Sequence, residues 1–324
     1  MNASVRTQCW LCGSVEPLTA EHIPPRSAFN DRPVIVQRVS PDAIAAGYVA
    51  WKDEERQQQG HSLLSLCTKC NRRGGRSFVP SYKDLAHKVA RQVSTRFPLK
   101  EIRVTSVRNP QLILRQVLMQ FVSANGESFV NANPWIREFL LARRANPIPE
   151  DVFVYLFATQ TRGFRTSGVS GHVLIEKGQY RVVSEFTHWP LGTVLSFTDL
   201  SDEPLLPITK WSEIPFNSKQ TVDITLPVNP IESELPIDFR DALDIYIDMG
   251  KKASVLPDEQ LVRRMTEETE RRGGHSRDEA ILTASPALVA LHAHGLQKAL
   301  DEAGRKAQER GLTPETLDSL LEDA

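Results

Sequence analysis

Apolar residues recur at two different spacings along this chain, and the change falls near residue 151. Tyr82, Leu85, Ala86, Val89, Ala90 and Val93 repeat at helical spacing and predict an amphipathic helix ending before Pro98. Ser81 and Asp84 have capping-box spacing, which sets its expected start. Leu112, Ile113, Val117, Leu118 and Phe121 predict a second helix, and Trp135, Ile136, Phe139 and Leu140 a third. From Asp151 the texture becomes short β-rich runs split by Gly and Pro, at 152–157, 172–175, 180–183 and 193–197. These predict a mostly antiparallel sheet, and the alternation over 221–226 adds a strand. Beyond Pro236 the chain turns polar and helical, with a break at Arg271-Arg272-Gly273-Gly274. Leu288, Leu291, Leu296, Leu300, Leu317, Leu320 and Leu321 then predict a helical tail, which either packs on the preceding domain or serves as a docking element.

The expected class is α+β. An N-terminal module over 1–100, an α+β domain over 101–239 and a helical region over 240–324 follow from these shifts in pattern. The polar stretch 51–60 is expected to be an exposed insertion inside the first module. No apolar run approaches the ~20 residues that a membrane helix needs, and the first residues lack a signal-peptide core, so no membrane association and a cytoplasmic location are expected.

Charge is unevenly spread. The net charge is −1, yet residues 1–100 hold fifteen Lys and Arg against eight Asp and Glu, while the other 224 residues hold 24 against 32. Local positive charge is what a phosphate-bearing partner requires, so the first hundred residues are the expected nucleic-acid surface.

All four cysteines stand in two pairs, Cys9-x-x-Cys12 and Cys67-x-x-Cys70, separated by 54 residues. A two-residue gap lets one tight turn present two sulfurs to a single ion, and two such turns complete a tetrahedron. Four thiolates leave no open position, so the expected ion is a structural Zn2+. Between the pairs lies Glu21-His22, and Asn71 directly follows the second pair.

The runs Glu21-His22-Ile23-Pro24-Pro25-Arg26-Ser27-Ala28-Phe29 and Leu66-Cys67-Thr68-Lys69-Cys70-Asn71 resemble those of the HNH (ββα-metal) endonuclease superfamily, over roughly residues 5–98. The resemblance implies a zinc-stapled ββα module that hydrolyses phosphodiesters, leaving a 3′-hydroxyl and a 5′-phosphate. It implies that His22 is the general base, and that Glu21 (usually Asp in the family) and Asn71 bind a catalytic divalent ion, Mg2+ or Mn2+. A histidine suits the base because its ordinary pKa lies near working pH, and a carboxylate with an amide oxygen suits a hard cation. The helix at 81–93 is the expected α element of the module.

One position departs from the family pattern. Where the family has an Asn that braces the base-bearing loop, this chain has Ser62, preceded by His61, and both stand as candidate support for the site. Arg72, Arg73 and Arg76 around Gly74-Gly75 form either a phosphate-holding loop or a solvated basic one. Taken singly, His22 reads as a structural histidine, Glu21 as an exposed charge and Asn71 as a turn residue; their arrangement between paired knuckles favours the site. His188-Trp189-Pro190 reads as a packed corner, and His292 and His294 point to different faces of an expected helix.

The favoured expectation is therefore a metal-dependent endonuclease acting on DNA, by analogy in a restriction or anti-phage setting. A regulatory or targeting protein is the candidate partner for residues 101–324. The rivals are a non-catalytic zinc-stabilised module that binds nucleic acid or protein, and a ribonuclease using the same site.

Overall fold

The structure is a computed structural model, and it describes residues 7–39, 51–95, 97–144, 147–160, 164–174, 178–216, 218–228 and 259–274. It is mixed α+β, with five helices and several antiparallel sheets among these residues. The expected tail over 286–324, including His292 and His294, lies outside them.

The chain opens with a small hairpin, β1 (Thr7–Gln8) against β2 (Val15–Glu16). Its turn places Cys9 and Cys12 on one side. Cys9 N–H donates to the Ser14 carbonyl at 2.8 Å and Gly13 N–H to the Cys9 carbonyl at 2.8 Å. Gly13 closes the turn at φ +76°, a conformation that glycine adopts without a Cβ clash. Strand β3 (Leu18–His22) then pairs antiparallel with β6 (Ser62–Cys67), Leu18 opposite Cys67 and His22 opposite Ser62. The residues between them form a 3-10 turn, Arg26–Ala28, and a second hairpin, β4 (Val34–Val39) with β5 (Trp51–Gln57). The polar stretch expected to be an exposed insertion is largely β5, which pairs with β4.

Helix α1 (Thr68–Ser77) starts straight after Cys67, and α2 (Val79–Val93) follows after Phe78. The expectation that the module's helix begins at Ser81 is corrected here. Ser81 is a buried residue inside the first turn of α2, no side-chain cap is made, and Asp84 instead pairs with Lys88 at 3.0 Å. The Arg-Gly-Gly-Arg segment, expected to be a loop, belongs to α1, with Gly74 buried beside Met119. The predicted apolar stripe of α2 is buried throughout. Each of its larger members, Leu85, Val89 and Val93, contributes roughly 1.5–3 kcal/mol by leaving water.

Strand β7 (Glu101–Arg108) pairs with β13 (Thr221–Pro227). Between them run α3 (Pro110–Ala132), α4 (Pro134–Leu141) and an antiparallel five-stranded sheet in the order β12-β8-β11-β10-β9. Its strands are β8 (Phe153–Ala158), β9 (Phe164–Leu174), β10 (Gln179–His188), β11 (Leu191–Ser196) and β12 (Leu206–Pro207). The turn between β10 and β11 is Trp189-Pro190, joined by a cis peptide, and His188 Nδ1 lies 2.9 Å from the Trp189 carbonyl. That is the packed corner expected of this tripeptide.

Helix α3 is buried on nearly every side up to Gly126, where a φ of 84° breaks the helix, and it carries Gln111, Arg115, Gln116 and Gln120 inside with its apolar residues. A polar seam crosses its contact with the first hundred residues. Ser123 meets Ser65 of β6 at 2.8 Å, and the buried Gln120 lies near the Tyr82 hydroxyl of α2. One continuous apolar cluster runs from Cys9 and Leu11 through α2 and α3 to Met265 of α5 (Glu259–Arg271). Arg115 of α3, fully buried, donates to the carbonyls of Phe139, Ala142 and Arg144 at the C-terminal end of α4. The Phe139 carbonyl is one that a helix leaves without an intrahelical partner, and those of Ala142 and Arg144 belong to the chain just past the helix. No described helix is long and apolar enough to cross a membrane.

Candidate metal centre and active site

The thiols of Cys9, Cys12, Cys67 and Cys70 lie within 4.8 Å of one another. Cys12 Sγ and Cys67 Sγ are 3.8 Å apart. A tetrahedral ion with metal–sulfur bonds of ~2.3 Å needs sulfurs about 3.8 Å apart, so the cluster has the size a zinc-type ion requires. The Cys67 N–H donates to Cys9 Sγ at 3.3 Å, and Ser14 Oγ lies 3.1 Å from Cys12 Sγ. The Cys9 thiol is lowered to about 4, chiefly by its hydrogen bond with Cys70, whose own thiol is pushed up by the same contact. Crowded thiols divide one charge among themselves, and a bound cation would let all four ionise. The spacing of the two pairs therefore has the geometric outcome expected of it: four cysteines positioned for a metal.

The cluster anchors the start of α1 beside β3 and β6, and this sets the second site. Thr19 and Glu21 share one face of β3 by strand alternation. Asn71, one turn into α1, donates through Nδ2 to Thr19 Oγ1 at 2.9 Å and to the Ala20 carbonyl at 3.0 Å. Thr19 Oγ1 in turn donates to the Leu66 carbonyl at 2.9 Å. The amide of Asn71 is thus fixed one residue from Glu21, and its carbonyl oxygen keeps its capacity to accept.

Glu21 is 7% exposed and has no hydrogen bond or ion pair among the described residues. Burial alone pushes its carboxyl up to about 8. At neutral pH such a carboxyl keeps its proton unless a cation is brought beside it, and Glu21 and the Asn71 oxygen are the oxygen donors present there.

His22 ends β3, half-buried. Burial, and then the charge of Arg26, lower its pKa, while a hydrogen bond donated to the Gln59 backbone carbonyl raises it in part. The net direction favours a neutral imidazole at neutral pH, oriented by that carbonyl.

The remaining candidates are placed less uniformly. His61 is buried; its Nδ1 lies 3.2 Å from Gln57 Oε1, and its ring centroid 4.6 Å from that of Phe164. Ser62 is held through its backbone N–H, which donates to Gln57 Oε1 at 3.0 Å; its hydroxyl has no partner among the described residues. Arg72 and Arg76 are exposed on α1, whereas Arg73 turns inward and donates to the Leu141 carbonyl at 2.9 Å. Across the same interface Arg137 of α4 donates to the Leu11 carbonyl at 2.7 Å, holding the first cysteine turn.

Four residues around the site carry no sequence signal of their own. Thr19, Asn30, Gln57 and Gln59 are isolated polar residues outside any spaced motif, and only the fold brings them to Asn71, Pro24, Ser62 and His22. The loop after His22 is also held from outside. Phe29 packs on His87 at 4.6 Å and on Trp189 at 4.8 Å, and His87 Nε2 lies 2.9 Å from the Ser27 carbonyl. Comparison of the chain with protein families, with curated proteins and with solved structures finds no match.

Proposed function

We propose that this chain is a metal-dependent endonuclease of the HNH type, with DNA as its substrate and a structural zinc in the four-cysteine cluster. The observation that carries the reading is the β3–β6 pair running directly into α1, with Glu21 and His22 at one strand end and Asn71 of the helix bonded beside them. In this reading His22, kept neutral by burial, takes a proton from the attacking water. A Mg2+ or Mn2+ ion held by Glu21 and Asn71 would stabilise charge on the scissile phosphate and the leaving oxygen. Arg72 and Arg76 extend from the same helix and can hold flanking phosphates by bidentate hydrogen bonds. Arg73 takes less part, because its guanidinium already serves the Leu141 carbonyl. The fold beyond residue 101 is read as the platform that meets a target or a regulatory protein, with a restriction or anti-phage role as its setting.

A second reading has one observation in its favour. The Asn71 Nδ2 is spent on β3, and the Ser62 hydroxyl braces nothing among the described residues, as in a scaffold that only binds nucleic acid. Incubating the full chain with plasmid, linear DNA and RNA, with Mg2+ or Mn2+ and then with EDTA, separates the readings. Metal-dependent products on DNA support the proposal; products on RNA alone make the chain a ribonuclease. Salt-sensitive, metal-independent binding without products favours the scaffold.

A further inference from the structure

We propose that Asn30 is a positioning residue for His22, a clamp that locks the backbone on both sides of the candidate base; its catalytic consequence rests on the nuclease reading above. Asn30 is 1% exposed and lies eight positions beyond His22. Its side chain makes three hydrogen bonds, all to backbone. Nδ2 donates to the Pro24 carbonyl at 2.7 Å and to the His61 carbonyl at 2.8 Å, and Oδ1 accepts from the His61 N–H at 2.7 Å. Pro24 is two residues after His22, and His61 precedes Ser62, the cross-strand partner of His22. The Ile23 N–H donates to the same His61 carbonyl at 3.1 Å, so the two segments are tied next to the base and again through Asn30.

The chain makes room for this clamp. Gly60 has φ +88°, and a Cβ there would fall 2.0 Å from the Asn30 carbonyl oxygen and 2.4 Å from its Oδ1. Only a glycine lets the 60–61 backbone approach the amide this closely. Next to Gly60 is Gln59, whose backbone carbonyl lies beside the His22 ring. Asn30 therefore fixes His61, His61 fixes the path of Gly60, and that path aims the Gln59 carbonyl at His22. The acceptor chosen by one ring nitrogen decides which nitrogen stays free to take a proton. Asparagine is the residue for this task because the clamp uses two donors and one acceptor on a planar, short side chain. Aspartate has the same shape and no donors.

The test uses the full chain with its metals, as wild type, Asn30→Asp and the uncharged Asn30→Ser. Nitrogen-15 spectra of the histidine rings at one fixed pH read the His22 tautomer, with His22→Ala assigning the signal. The expected wild-type result is a single tautomer, and the expected result in each variant is a mixture. The variants should keep the wild-type zinc content and KM while kcat falls at least ~10-fold, the scale on which small misplacements of a reacting group act. If the aspartate variant does not fold, the serine variant decides. A mixed tautomer in a chain that never cleaves nucleic acid leaves the clamp standing and removes the nuclease reading. A single tautomer with undiminished kcat in an active enzyme does the reverse. Loss of zinc from both variants would make Asn30 a purely structural residue and overturn the proposal.

Discussion

Around the four cysteines, thiols converge at one end of the main apolar cluster, close enough together to hold a metal ion. In the five-stranded sheet, polar atoms are buried in an apolar setting and have already found one another. Arg165 and Glu185, 5% and 2% exposed, meet at 2.5 Å, and Thr187 Oγ1 donates to the same carboxylate oxygen at 2.6 Å. Tyr155, Phe157, Val183 and Val194 pack together with Leu200 and Leu205 on one side of that sheet. The first region is placed to be completed by an ion from outside the chain, and the second is completed from within it. The lesson concerns where ions could act: the buried, unpaired carboxyl of Glu21 lies on β3, next to the cysteine cluster, whereas the buried charges of the sheet are already matched.

Breaking the first region should have the largest effect. Cys67→Ser leaves three thiols for a tetrahedral ion, and metal binding in such sites is coupled to folding by on the order of 10 kcal/mol. Hydrogen exchange should show β3, β6 and α1 losing protection while β8, β10 and β11 keep theirs, and metal analysis should find the ion gone. Equal protection with the metal absent would show that the apolar cluster alone holds the strands.

Breaking the second region comes next. Glu185→Ala removes the buried carboxylate that Arg165 and Thr187 share, a change expected to cost on the order of 3 kcal/mol in chemical denaturation. A smaller, pH-dependent effect sharpens the contrast. A carboxyl raised to about 8 in the folded chain binds its proton more tightly there than in the unfolded chain. Without divalent ions, stability should therefore fall as pH rises from its ordinary value of 4.5 towards 8 and level off above. Glu21→Gln should flatten that slope, measured by denaturation in EDTA across the pH range. The smallest effect is Ser65→Ala, which leaves Ser123 of α3 without its 2.8 Å partner and should cost about 1 kcal/mol or slightly more by the same measurement.

The two regions were also unequally legible in the sequence. Cysteine pairs announce themselves because a metal imposes short, fixed spacings on its donors, and Glu21, His22 and Asn71 are readable by their places around those pairs. Helix α1 was hidden because Gly74 and Gly75 have poor helix propensity, and the packing of Gly74 against Met119 overrides it. The start of β9, Phe164 to Gly171, was hidden because Arg165 and the serines mimic a loop, and its ion pair to β10 cannot be seen from one strand alone. Strand β7 was legible in principle, since Ile102 and Val104 alternate with exposed neighbours, but the helical run that follows dominated the pattern. Thr19 and Asn30 were beyond reach: each is one polar residue whose partners lie across the hairpin.

The central claim is that His22 is a base in a metal-dependent nuclease, and His22→Ala tests it most directly. The variant should keep its metal content and its protection from hydrogen exchange, since His22 ends a strand that the cysteines and Asn71 hold in place. In Mg2+ or Mn2+ its rate of DNA cleavage should fall at least ~10²-fold below wild type, the usual scale for losing a general base. Cleavage at the wild-type rate by the purified variant, abolished by EDTA in both proteins, would contradict the account.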